Sequence, residues 1–458
     1  MTRETNVLES AWELAKPRRP GHTIAYVPVD RRVLTRRGII WTGQTCNLQC
    51  YFCYFKDRRS DVNHPEHGFM SLEKAKTIAR TLVEFYGNTS VDIQGGEPTL
   101  WKDILEFVGF CRSIGLDATI ITNGQALKTE GNVEKFRDAG VRDFLVSIHA
   151  LGDAYDSIVC TEGAHVAQMM ALRNLQESSV PFRINTVMLI ESFRQLPEIA
   201  ELGIRAGAKV VNFLSYNPYD DQAKTGARML EKIPRYTDLE PAINEALDLL
   251  ESRGVEGNVR HYPLCMVAER HRKSVYTFRQ VPYDLHENDF ASWAWTGEQP
   301  QRMREGKTTE PFPLGKRFTL GGATKYARVL SRTPAGPALR KAKSALDRLV
   351  TVISERLETR SVEEKYQEDA RLRAHEHCGY VHGKKCLACD ARNICDGFHG
   401  DYARLHGTDE ARPINEGAMI SDPLFFIRRQ NKWIHPDDLH LLGERLPCKA
   451  TSGSMCAR

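Results

Sequence analysis

No stretch of this chain approaches the roughly 18–20 consecutive apolar residues that a membrane-spanning helix requires, so an integral membrane protein is not expected. A dominant charge is missing too. The 63 Lys and Arg against 59 Asp and Glu leave a net of only +4 across 458 residues, so any strong field must come from local clustering. Met1-Thr-Arg-Glu-Thr-Asn lacks the apolar core of a secretory signal, which points to the cytoplasm. In that reducing compartment the twelve cysteines read as metal ligands more readily than as disulfides. Hydrophobic content of 41% and charged content of 27% describe a globular protein, and the length suits a barrel of roughly 200–250 residues plus a second module.

The organising stretch is Cys46-Asn-Leu-Gln-Cys50-Tyr-Phe-Cys53, spaced C-x3-C-x2-C directly after the apolar run 38–45. Thiolates this close on a short loop can converge on one cubane cluster, leaving the fourth iron without a protein ligand and open to a small molecule. A structural zinc knuckle, or buried cysteines behaving as small hydrophobes, are the plainer alternatives. The spacing resembles the signature of the radical S-adenosylmethionine (radical SAM) superfamily. That resemblance implies a catalytic [4Fe-4S] cluster on Cys46, Cys50 and Cys53 whose open iron chelates S-adenosyl-L-methionine. It also implies reductive cleavage of that cofactor to methionine and a 5′-deoxyadenosyl radical, with a reducing donor such as flavodoxin or ferredoxin.

Residues 1–37 read as a short helix, Val7 to Leu14, followed by a basic Pro/Gly segment. This lead is expected to be too short for the separate peptide-binding domain of many radical SAM peptide maturases. From 38 to 263, β-rich runs at 38–45, 90–94, 118–122, 143–147, 182–187 and 210–214 alternate with amphipathic stretches at 71–86, 101–114, 164–178, 192–206 and 239–253. Six strand–helix units predict an α/β fold with a parallel sheet, a partial (βα)6 TIM-like barrel with its chemistry at the C-terminal strand ends. After the second strand, Gly95-Gly96-Glu97-Pro98 combines two glycines that permit close backbone approach with an acceptor for an ammonium group; a plain turn is the alternative. The resemblance puts the cofactor's amino group at Gly95, Gly96 and Glu97, and its adenine against Phe52. It implies ribose and carboxylate contacts among Asn123, Ser147, His149, Arg183 and Asn185, although such residues at strand ends also serve as caps.

Beyond residue 263 the alternation stops. The segment 264–345 is first aromatic, with His271, Tyr276, Tyr283, His286, Trp293 and Trp295, which suit either a substrate wall or a loop packed on the barrel. It then turns basic, with eleven Lys/Arg from Arg302 to Lys343 and only Glu305 and Glu310 against them. Such a run attracts phosphate or another anion, or is a solvated linker; no nucleic-acid module is recognisable and no nucleic-acid partner is expected. A stripe running from Leu339 to Leu357 then marks an amphipathic packing helix that leads into the last part, 346–458. It is followed by Cys386-Leu-Ala-Cys389 and Cys395, spaced C-x2-C-x5-C. This resembles the SPASM/twitch extensions of radical SAM proteins and implies an auxiliary [4Fe-4S] cluster, with Cys265, Cys378 or Cys448 as a fourth ligand and Cys265 favoured. A zinc site completed by His375, His377 or Cys378 is the competing reading. Cys111, Cys160 and Cys456 read as ordinary cysteines, with Cys160 also placed to donate a hydrogen atom.

Together these features predict a radical SAM enzyme acting on a carbohydrate-like, aminoglycoside-like or phosphorylated small molecule by dehydrogenation, dehydration or epimerisation. A peptide-modifying maturase is the second reading, and a non-enzymatic iron–sulfur electron carrier or sensor the third.

Overall fold

The computed structural model describes residues 4–17, 34–53, 67–216, 229–299, 308–314 and 359–442. Eight strands form one parallel sheet in sequential order. They are β1 Arg37–Trp41, β2 Ser90–Gln94, β3 Asp117–Thr122, β4 Val141–Ser147, β5 Phe182–Met188, β6 Val210–Ser215, β7 Glu256–Arg260 and β8 Val275–Tyr276. A parallel sheet is covered on both faces, which explains why the first six strands are short apolar runs: Ile39, Ile40, Val91, Ile93, Ile120, Phe144, Val146, Ile184 and Phe213 are all fully buried. The intervening helices supply the outer cover. In helix Leu72–Glu84, Ala75, Ile78, Ala79 and Leu82 face inward at helical spacing, and the N-cap Ser71 accepts the Lys74 amide at 3.4 Å.

The six predicted strands are present, and β7 and β8 extend the sheet. Past β8 the chain returns toward its first strand: Thr35 N–H donates to Pro282 C=O at 2.8 Å and Asp289 N–H to Arg37 C=O at 2.7 Å. The sheet therefore curls almost onto itself.

Charged groups, not aliphatic ones, fill the N-terminal end of this curl. Arg37 pairs with Asp92 at 2.9 Å, Arg183 with Asp143 at 2.6 Å, and Arg260 with Asp284. The remaining acids are met from the far end of the chain. Lys432 reaches Glu256, and Asp284 at 3.2 Å, while Gln430 Nε2 donates to Gly257 C=O at 2.8 Å. Arg142, at the start of β4, then holds Asp437 at 3.3 Å and Asp438 at 3.0 Å. Residues 430–438 thus run across the barrel floor and close it.

The aromatic segment after residue 263 is packing material. His271, Tyr276, Tyr283, His286 and Trp295 are buried, with the Tyr276 hydroxyl donating to Gln430 at 2.5 Å and Trp295 Nε1 to Thr309 C=O at 3.1 Å. The stripe 339–357, most of the basic run, Cys448 and Cys456 lie outside the described residues. Among the described residues no helix is long and apolar enough to cross a membrane.

Candidate active site and second cysteine centre

The loop that follows β1 carries Cys46, Cys50 and Cys53, each half-buried and outside any disulfide. It is anchored twice. On one side, Gln49 N–H donates to Val159 C=O at 3.0 Å and Tyr51 N–H to Ile158 C=O at 3.2 Å, at the end of helix Asp153–Val159. On the other, Gly96 N–H donates to Gly43 C=O at 2.7 Å and Glu97 N–H to Thr45 C=O at 2.8 Å. The cysteine loop and the glycine turn are therefore one hydrogen-bonded unit at the C-terminal end of β1 and β2.

That unit gives the two glycines a reason beyond ligand access. A Cβ on Gly95 would stand 2.3 Å from Gly43 O, and one on Gly96 2.2 Å from Thr45 O. The close backbone approach expected of this turn is made to the protein's own cysteine loop.

Glu97 is likewise turned inward, at 1% exposure. Its Oε1 accepts from Thr99 N–H at 3.1 Å, Thr99 Oγ1 at 2.5 Å and Thr122 Oγ1 at 2.7 Å, and its Oε2 from Asn123 N–H at 2.8 Å. Burial raises its pKa, against the lowering effect of these four donors. The carboxylate ties the glycine turn to the end of β3. The signal for this brace was present in the sequence as the threonines of Glu97-Pro-Thr and of Thr122-Asn-Gly.

Asn123 extends toward the cysteines, its Nδ2 lying 2.8 Å from Asn47 Oδ1 and 3.8 Å from Cys46 Sγ. Ser147, the last residue of β4, and Asn185, midway along β5, are register partners, both half-buried. Phe52 meets His149 edge-on at 4.8 Å and Tyr216 at 6.3 Å, forming an aromatic collar beside Cys53. The His149 Nδ1 accepts Val187 N–H at 3.2 Å, and burial lowers this imidazole to about 3, so it stays neutral. Tyr216, directly after β6, was missed because nothing in Leu-Ser-Tyr marks a functional aromatic. Arg183 is not at this end: it is 1% exposed and paired with Asp143 at the barrel floor. Cys111 is buried as expected, whereas Cys160 is exposed at the left-handed cap of helix Asp153–Val159.

The second centre is assembled from distant segments. Cys265, Cys386, Cys389 and Cys395 line one small cavity together with His382, Phe398 and Arg412. Ile414 N–H points at Cys389 Sγ at 3.3 Å and Gly397 N–H at Cys395 Sγ at 3.4 Å. Burial pushes the Cys265 thiol up to about 11 and raises Cys395 as well. Cys378 and His375 lie outside this lining; His375 Nδ1 is engaged with Tyr380 C=O at 2.9 Å. Four thiols on one ion would stand roughly 3.8 Å apart, by tetrahedral geometry at the usual Zn–S length. Among the described residues the grouping of three candidate ligand atoms within 4.8 Å is Glu256, Asp284 and His286, which Lys432 already occupies; neither cysteine set is so contracted.

Residues 42–203 match the family described as the radical SAM superfamily. A probable GTP 3′,8-cyclase of Sulfurisphaera tokodaii is 26% identical over 235 residues, 49% of this chain and 68% of that protein. The PqqA peptide cyclase of Bradyrhizobium diazoefficiens is 25% identical over 210 residues, 45% of this chain and 53% of that one. The first curated relatives are covered over 40 to 68% of their own length. Among solved structures, Streptococcus suis SuiB bound to S-adenosylmethionine aligns at a TM-score of 0.42 and 21% identity, covering 49% of this chain and 50% of that one.

Proposed function

We propose, from the radical SAM domain at residues 42–203, a radical SAM enzyme that abstracts hydrogen from a substrate at the barrel mouth and carries a second iron–sulfur centre in its C-terminal extension. Cys46, Cys50 and Cys53 would hold the catalytic [4Fe-4S] cluster, and Cys265, Cys386, Cys389 and Cys395 the auxiliary one. With S-adenosylmethionine bound, the catalytic cluster supplies one-electron cleavage of the cofactor to a 5′-deoxyadenosyl radical. The observation that carries the reading is the hydrogen-bonded union of the three-cysteine loop with the Gly95-Gly96-Glu97 turn at the C-terminal end of the sheet.

The protein's own part is positioning and shielding. Glu97 fixes the glycine turn by bridging it to β3, so Gly95 and Gly96 present their backbone in one conformation. Asn123 points its amide at Cys46, and Ser147 with Asn185 offers polar groups one strand apart for the cofactor. Phe52, His149 and Tyr216 keep water from the cysteine loop. An oxygen-sensitive centre and described cysteines that form no disulfide suit a cytoplasmic setting.

For the substrate we favour a peptide side chain or backbone carbon, on the strength of the four-cysteine extension and the relative named PqqA peptide cyclase. A carbohydrate-like ring is the second reading, and the buried His271, Tyr276, Tyr283, His286 and Trp295 no longer contribute to it. Candidate peptides and sugars carrying deuterium are the test. Label appearing in 5′-deoxyadenosine from a peptide carbon supports the first reading, and label from sugar ring carbons alone replaces it. Cys50→Ala should abolish 5′-deoxyadenosine formation under strong reductant, and production at the parent rate would sink the assignment.

A further inference from the structure

The loop that holds two of the second centre's cysteines is also an unusual piece of surface. Cys386 and Cys389 are 9% and 8% exposed, yet Leu387 between them is 72% exposed, the highest among the exposed large hydrophobic side chains of the described residues. The second centre therefore lies directly beneath an apolar knob.

Three cations surround that knob. Lys384, Lys385 and Arg392 are exposed. Lys385 Nζ donates to Asp409 C=O at 2.6 Å and Arg392 Nη1 to Leu387 C=O at 3.1 Å, so both are held in place by uncharged carbonyls. Among the described residues none of the three has a carboxylate in ion-pair reach. The arginines nearby are different. Arg404 pairs with Asp401, Arg412 with Glu240, Arg272 with Glu416 at 3.3 Å and Arg235 with Glu410 at 3.1 Å. Positive charge without local compensation is concentrated on one loop of a chain whose net charge is small.

We infer that the loop Lys384–Ala388, with Arg392, is the docking surface for an acidic one-electron carrier protein, which delivers its electron through the second cysteine centre. This rests on the radical SAM reading, whose chemistry consumes an electron from outside the protein. Electron transfer weakens steeply with distance, and at Leu387 the protein surface lies one residue from both Cys386 and Cys389. An apolar contact ringed by cations matches a carrier whose cofactor edge is ringed by carboxylates, and it steers that carrier over long range. In the step, the reduced carrier loses one electron, the second centre gains it, and no bond to the protein forms or breaks.

The test uses the full chain reconstituted anaerobically, with an acidic flavodoxin and an acidic ferredoxin as probes. Dissociation constants at low and high salt, and the rate at which the reduced probe is oxidised, are compared between the parent, Lys384→Glu/Lys385→Glu and Leu387→Ser. The charge-reversed variant should bind roughly tenfold or more weakly at low salt, oxidise the probe correspondingly more slowly, and lose the salt dependence of the parent. Its iron content and its dithionite-driven cleavage of S-adenosylmethionine should match the parent, and Lys384→Gln/Lys385→Gln should fall between the two. Unchanged probe binding and oxidation in the charge-reversed variant, or no probe binding by the parent, overturns the docking surface. A parent that binds the probe but cleaves no cofactor with dithionite overturns the proposed function and leaves the surface standing.

Discussion

Glu97 offers a quantitative test of how the site is built. Replacing it by Ala removes the acceptor from four donors in a fully enclosed position. The two hydroxyls, of Thr99 and Thr122, can rotate and lose little. The amides of Thr99 and Asn123 are fixed by the backbone, and each left unpaired costs about 1–3 kcal/mol. Part of this is offset because burial itself disfavours the ionised carboxylate, so Glu97→Ala should destabilise by about 2–4 kcal/mol. Glu97→Gln keeps one acceptor but turns an amide N–H₂ toward Asn123 N–H, for a smaller loss of about 1–2 kcal/mol. The consequence for function is specific. The cysteine loop retains its second anchor at Ile158 and Val159, so iron should stay, while the loosened glycine turn should weaken S-adenosylmethionine binding by about tenfold or more. Denaturant unfolding, iron analysis and calorimetric cofactor binding on both variants give the three numbers. Parent-like stability and cofactor affinity in Glu97→Ala would refute the bracing role, and loss of iron would show that the two anchors are not independent.

Two further outcomes follow from the second centre and from the barrel floor. Cys265→Ala should lower bound iron from about eight to about four per chain, whereas Cys378→Ala should leave it unchanged; the reverse pattern would exchange their roles. Lys432→Met strips the ammonium from Glu256 and Asp284 in a buried position and should destabilise by about 3–5 kcal/mol, with Glu256→Gln added to it recovering much of the loss. A neutral Lys432→Met in denaturant unfolding would mean that residues 430–438 only rest against the barrel.

The amino-acid sequence by itself determined what is local. The C-x3-C-x2-C and C-x2-C-x5-C spacings, the Gly95-Gly96-Glu97 turn and six apolar strands are legible because neighbouring residues, their periodicity and their backbone freedom fix them without reference to the rest of the chain. Only the tertiary structure decided which distant groups meet. It brought Cys265 to the cavity of Cys386, Cys389 and Cys395, gave Gly95 and Gly96 their partner in the carbonyls of Gly43 and Thr45, and sent Arg183 to the floor although Asn185, two residues on, lies toward the mouth. β7 shows the reason most clearly. Glu256-Gly-Asn-Val-Arg260 has no apolar pattern, and its charges are tolerable in a sheet only because Asp284, Gln430 and Lys432 fold back to meet them. A buried charge is stable only beside its partner, and no local pattern records a partner more than a hundred residues away.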